Sequence, residues 1–158
     1  MTNYYRIWLG QQSAFADECK SGSFIGVDYD IYQDLTNELP DRWQEFNEKF
    51  RPIWLDLHPG KSKISAGLSC GALHTVCKGI IQEDIVLCPD GRGSYMVGDI
   101  VGDYTYQHGL NLPHRRNVRW YPRGIRRDEM SRELQNAAGS IGTVANVTNH
   151  SEDLKRLI

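Results

Sequence analysis

Ile80–Tyr106, IIQEDIVLCPDGRGSYMVGDIVGDYTY, is the stretch whose reading decides the fold. Its two apolar runs, Ile80–Cys88 and Tyr95–Tyr106, read as strands because β-branched and aromatic residues dominate both. Between them stands Pro89-Asp90-Gly91, where proline presets φ and glycine supplies a positive φ, the chemistry of a tight turn. A third short strand, Val118–Tyr121, follows the His108–Pro113 loop. Short strands packed this closely in sequence predict a small barrel or a strongly bent sheet.

Working outward, the N-terminal side alternates between strands and helices. Tyr4–Leu9, YYRIWL, and Phe24–Tyr29, FIGVDY, have strand composition, and Gly26 marks a bulge or a close approach to the backbone. Gln11–Lys20 places Ala14, Phe15, Ala16 and Cys19 at helical spacing, with Ser13 as cap and Gly22 as stop. Thr36–Leu57 is a helical region in which Asp41 caps a stripe of Trp43, Phe46, Phe50 and Trp54. Pro52 should end or kink it near Phe50. Lys61–Lys78 is a further helix with Ala66, Leu68, Leu73 and Val76 as its apolar positions, weakened by Gly67 and Gly71. C-terminal to the strands, residues 126–138 form a helix ending at Gly139. The glycine- and threonine-rich stretch after it lacks the lysine of a P-loop. SEDLKRLI reads as a helix start capped by Ser151.

The 158 residues suit one domain with a real core, so the fold class is α+β with helices surrounding the sheet. No apolar run approaches the roughly 18–20 residues of a membrane span, and the N-terminus lacks a signal-peptide layout. A cytoplasmic address and no membrane partner are the expectation. The four cysteines form no CxxC pair and fall in apolar stretches, which predicts free buried thiols. Cys70, His74 and Cys77 fall short of the four ligands a structural zinc site needs, so no metal and no cofactor are expected.

The net charge of −2 hides an asymmetry, with ten acids against five bases in residues 1–60 and six arginines in 114–127, HRRNVRWYPRGIRR. Arginine interleaved with Trp120 and Tyr121 suits bidentate phosphate contacts and ring stacking better than lysine does. Local clustering, more than net charge, determines nucleic-acid binding.

Three ordered blocks resemble the PUA-like EVE and YTH domains. The hairpin reads Glu83-Asp84-Ile85-Val86, then Val97-Gly98-Asp99-Ile100-Val101-Gly102-Asp103-Tyr104-Thr105-Tyr106, similar to that family's "GDxV" and "xxVGxVxGxYxY", with glutamate replacing the usual glycine. Upstream, Phe24–Tyr29 followed by Asp34-Leu35-Thr36 resembles the EVE element "gyIaiGw…DLs". Downstream, His114–Trp120 resembles "HxRxVxW". The set is similar to the N-terminal domain of Mrr-like, modification-dependent (type IV) restriction endonucleases.

That resemblance implies a PUA/EVE-like reading domain over residues 1–148. Residues 149–158 are then the start of a helix, or a linker toward a downstream nuclease domain. It implies a partner, double-stranded DNA carrying a modified base, with RNA as the alternative because YTH and PUA relatives bind RNA. The base would be flipped into an aromatic pocket, for which the candidates are Trp8, Phe24, Ile25, Gly26, Asp28, Tyr29, Asp30, Tyr104 and Tyr106. Gly26 would admit the base, and Asp28 or Asp30 would accept from an exocyclic amine. Phosphates would be held by Arg115, Arg116, Arg119, Arg123, Arg126 and Arg127, with Lys61 and Lys63; His114 is a further candidate. The same aromatics could instead simply fill the interior of the sheet.

No catalytic residue is assigned, and the chain itself is not expected to be an enzyme. The relevant nuclease fold needs an aspartate strand followed by Glu-x-Lys around Mg²⁺. The only Glu-x-Lys, Glu18-Cys19-Lys20, lies in a helical stretch, and Asp153-Leu154-Lys155 is a remote variant. A stand-alone metal-dependent nuclease and a protein-interaction module are the readings from other classes.

Overall fold

The structure, a computed structural model, describes residues 1–158. Seven strands form one sheet: β1 (Tyr4–Ile7), β2 (Phe24–Val27), β3 (Ile85–Pro89), β4 (Ser94–Tyr106), β5 (His114–Trp120), β6 (Ile125–Arg126) and β7 (Val144–Asn146). Their order is β2-β5-β4-β3-β1-β7, with β6 pairing the start of β4. All neighbours run antiparallel except β1 and β3. The expected hairpin is β3–β4, turned at Asp90. The Asp90 carboxylate accepts from the Arg92 and Ser94 amides, and Gly91 and Gly93 take φ of +80° and +87°.

The mixed α+β class holds, but closure into a barrel does not occur. β2 and β7 are the two edges and never pair. They are short, with four and three residues. The sheet instead bends through β4, whose pairing with β5 shifts register between Ile100 and Tyr104. Such an irregularity lets one long strand turn a corner while both halves stay paired.

Both faces of the centre are covered. Alternation sends Tyr5 and Ile7 of β1 and Val86 and Cys88 of β3 into a larger cluster, and Tyr4 and Leu87 into a smaller one. The larger cluster is closed by α1 (Ala16–Gly22), α2 (Trp43–Leu57) and α3 (Lys63–His74). The smaller is closed by α4 (Arg132–Ala138) and α5 (Ser151–Leu157), through Leu134, Ala138 and Leu154. The expected buried thiols are there: all four cysteines are free and buried, and burial pushes Cys19 and Cys70 up to about 12 and about 11.

Several helix boundaries differ from expectation. Gln12 and Ser13 have φ of 55° and 61°, so α1 starts only at Ala16, and Ser13 caps nothing. Gly22 belongs to α1, and Ser23 closes it in the left-handed conformation. α2 starts after Arg42 with no side-chain cap from Asp41, and it runs through Pro52. Proline removes one backbone bond there, but Phe46, Phe50 and Trp54 anchor the helix on both sides of it. Trp43 and Leu68, expected to face the core, are exposed. Arg126 lies in β6, and Ser131 caps the shorter helix α4, which stops at Gly139 as the sequence indicates.

Candidate functional site

The gap where the sheet fails to close is a cleft of about 490 Å³, within the range of small-molecule sites. Trp8 follows β1, Val27 ends β2 with Asp28 and Tyr29 just after it, and the Gly139–Thr143 strap leads into β7; all line the cleft with Gly10–Gln12 and Leu112. Two aromatic side chains, a carboxylate, two carboxamides and two hydroxyl side chains thus share one apolar-walled opening. Tyr29 and Asp30 hold left-handed φ of 52° and 60°, a costly backbone for non-glycine residues that persists because its surroundings fix it. Asp28 Oδ1 accepts the Asp30 amide at 2.6 Å and Oδ2 accepts the Tyr32 hydroxyl at 3.1 Å. His58 then ties Asp30 to α2: Nε2 lies 2.6 Å from the Asp30 carboxylate and Nδ1 2.8 Å from the Trp54 carbonyl. Those two acceptors, the Trp54 carbonyl first, raise the His58 pKa above its ordinary value.

The opposite wall is held by a residue that sequence reading did not single out. Arg6, in the middle of β1, is fully buried and forms no ion pair. Its guanidinium donates to the carbonyls of Ala138 at 2.8 Å and Ser140 at 2.9 Å, and to that of Gly142. Burial pulls its pKa down, partly offset by Tyr95, Cys88 and Tyr29. The signal was present: period-2 alternation within YYRIWL puts Arg6 on a face with Tyr4, opposite Tyr5 and Ile7, between two apolar layers. An arginine there needs several buried acceptors.

Of the expected base-pocket residues, the cleft brings together Trp8, Asp28 and Tyr29, with Asp30 just behind them. Phe24 and Ile25 are buried in the core, and Arg115 stacks 3.8 Å above the Phe24 ring. Gly26 does permit a close approach, but by the chain itself: a Cβ there would stand 2.7 Å from the Leu112 carbonyl oxygen. Tyr104 and Tyr106 share a face of β4, as alternation requires, yet they stand apart from the cleft around His114. Buried His114 lies 2.6 Å from the Ile31 carbonyl through Nε2 and 2.8 Å from the Tyr104 hydroxyl through Nδ1. With Nε2–H donating and Nδ1 accepting, a neutral ring satisfies both contacts, and burial lowers its pKa.

The arginine segment is corrected in one place and redistributed in others. Arg116 is buried and donates to the carbonyls of Gly102, Val76 and Ile80, so it braces the core and is unavailable to phosphate. Arg115 donates to the carbonyls of Leu112 and Asn111. Arg119 pairs with Asp99, Arg123 with Glu129, and Arg126 with Asp128 and Glu129. Arg127, Lys61 and Lys63 are exposed and form no ion pair. Lys20, Arg123 and Arg126 collect around a second opening of about 600 Å³ beside Trp120 and Tyr121, together with Asp90 and Glu129.

One family profile spans both walls of the cleft and the whole sheet. The chain belongs to the family described as Domain of unknown function (DUF8426), matched over residues 5–148. No curated protein and no solved structure matches it. The matched region of this DUF8426 chain takes in β1 from Tyr5 through β7, and so includes Arg6, the cleft and the Gly139–Thr143 strap.

Proposed function

We propose that this domain is a reader of modified DNA that accepts a flipped base in the Trp8–Tyr29 cleft, serving as the specificity module of a PUA/EVE-like restriction system. The observation that carries this reading is the meeting of Trp8, Asp28 and Tyr29 in one cleft of about 490 Å³ at the sheet's open seam. Extruding a base costs about a few kcal/mol of stacking and pairing. Base–aromatic stacking returns about 1–3 kcal/mol per base, and a carboxylate can accept from an exocyclic amine. The duplex is gripped by Arg127, Lys61 and Lys63, and by Arg126, whose pair with Asp128 is exposed on both sides, is worth only about 0–1 kcal/mol and exchanges readily for phosphate.

Fluorescence anisotropy with duplexes carrying methylcytosine, hydroxymethylcytosine, methyladenine or no modification, and with matching RNA, tests this. Tighter binding to one modified duplex is the expected outcome. Equal affinity for modified and plain DNA sinks the reading, preference for RNA moves it to an RNA reader of the same fold, and metal-dependent cleavage by this chain replaces it with a nuclease.

A further inference from the structure

The strap Gly139–Thr143 contains no charged residue, yet its backbone is oriented by one. All peptide bonds are trans. In a trans peptide the carbonyl of one residue and the amide of the next point in opposite directions. The carbonyls of Ala138, Ser140 and Gly142 converge on the Arg6 guanidinium. The amides of Gly139, Ile141 and Thr143 therefore point away from it. The Gly139 amide is used within the helix end, donating to Gln135 at 2.9 Å. Those of Ile141 and Thr143 donate to nothing in the protein. Arg6 lies beneath the strap and does not line the cleft, whereas all five strap residues do. Two free amides thus stand on the open side of a strap backed by a buried cation that has no carboxylate partner. Free backbone N–H groups turned to one side of a turn present partial positive charge to an anion.

We propose that the Gly139–Thr143 strap binds a phosphate group, making the cleft a receptor for a nucleoside phosphate rather than for a base alone. The anion half stands on the strap geometry; the nucleoside half rests on the base-cleft reading above. The amides of Ile141 and Thr143 donate to phosphate oxygens, the Arg6 charge stabilises the anion through the strap, and Trp8 and Tyr29 receive the base. Asp28 opposes the anion but is engaged with its own loop through the Asp30 amide and Tyr32. The phosphate belongs either to a free mononucleotide or to one unit of a strand.

Amide spectra of the ¹⁵N-labelled protein, titrated separately with inorganic phosphate, deoxycytidine, dCMP and a short single-stranded oligonucleotide, test the proposal. The expected result is movement of the Ile141 and Thr143 amides with phosphate and with dCMP, and at least tenfold tighter binding of dCMP than of deoxycytidine. A saturable shift with phosphate but none with deoxycytidine at Trp8 or Tyr29 upholds the anion site while removing the base cleft. Tighter binding of the oligonucleotide than of dCMP assigns the phosphate to a strand, and the reverse assigns it to a free nucleotide. Ile141→Pro deletes one donor at a fully exposed position outside any helix or strand and should weaken phosphate and dCMP about tenfold, the loss expected of a charge-assisted bond. Unmoved strap amides in the wild-type protein, or deoxycytidine binding as tightly as dCMP, overturn it.

Discussion

The arginine-rich segment 114–127 and the uncharged strap 139–143 reach positive potential by opposite routes. The segment has six guanidinium groups and uses most of them on its own fold: Arg116 braces buried carbonyls, Arg115 holds its own loop, and three more face acids. The strap has no charge and acquires polarity from one arginine 134–136 positions away in the chain. Charge counted along a sequence is thus a poor measure of charge available at a surface. What matters is which acceptors the fold has already placed around each group.

Buried and exposed arginines should differ most in their effect on stability. Arg6→Met and Arg116→Met each strip buried carbonyls of their donors, and an unsatisfied buried group costs about 1–3 kcal/mol. With three carbonyls affected in each case, loss of about 3 kcal/mol or more is expected in urea unfolding. Arg119→Met, whose ion pair is half in water, should change stability by about 0.5 kcal/mol or less. Equal losses for Arg119 and Arg116 would erase the distinction between bracing and surface arginines.

Binding comes next. Trp8→Ala should weaken the preferred modified duplex by about 1–3 kcal/mol, or about five- to 150-fold in anisotropy titrations. Tyr106→Ala should leave that affinity within about twofold, since Tyr106 packs near His108 and His114 and lies outside the cleft. A larger loss at Tyr106 than at Trp8 would move the site to the His114 side of the sheet.

How far the sequence discloses this arrangement depends on the range of the interaction. The hairpin was legible because Pro89-Asp90-Gly91 and two β-rich runs are local signals, and Gly139 marked its helix end for the same reason. Pro52 misleads because proline reports a lost bond but not the aromatic stripe that holds the helix through it. Gly26 announced a close approach, and only the pairing of β2 with β5 reveals that Leu112 makes it. Trp8, Asp28 and Tyr29 are pocket candidates through the family resemblance, and they come together because the ends of β1 and β2 meet at the open seam. The strap could not be named in advance, because its role depends on Arg6 across the full length of the domain.

A pH experiment separates the cleft from the core. His114 is held neutral by burial, so its folded pKa lies below the ordinary 6.5. Its contribution is present above the unfolded value and is lost as pH falls through the lowered folded one. His58 has the opposite sign: its pKa is raised, so its contribution is complete below the unfolded value and is lost as pH rises through the folded one. Acidification from pH 8 to 5 should therefore lower the melting temperature through His114 while tightening the Asp30 loop through His58. His114→Gln should flatten the decline, and His58→Gln should steepen it. A decline unchanged in both variants would place the acid sensitivity elsewhere.

The smallest effect probes the exposed charges themselves. Each phosphate contact contributes about 0.9 to the slope of log affinity against log salt on duplex DNA. Arg127 has no ion pair to surrender, so Arg127→Ala should lower that slope by about one contact and weaken all sequences alike. Arg119 must first leave Asp99, to which both its Nε and one terminal nitrogen donate at 3.1 and 3.2 Å. Arg119→Ala should change the slope by less, because part of its charge is already neutralised without DNA. Asp99→Asn should then recover a full contact from Arg119. Equal slopes for the Arg119 and Arg127 variants, with no effect of Asp99→Asn, would mean that self-pairing is no barrier to phosphate and that the sequence count of arginines was the better guide.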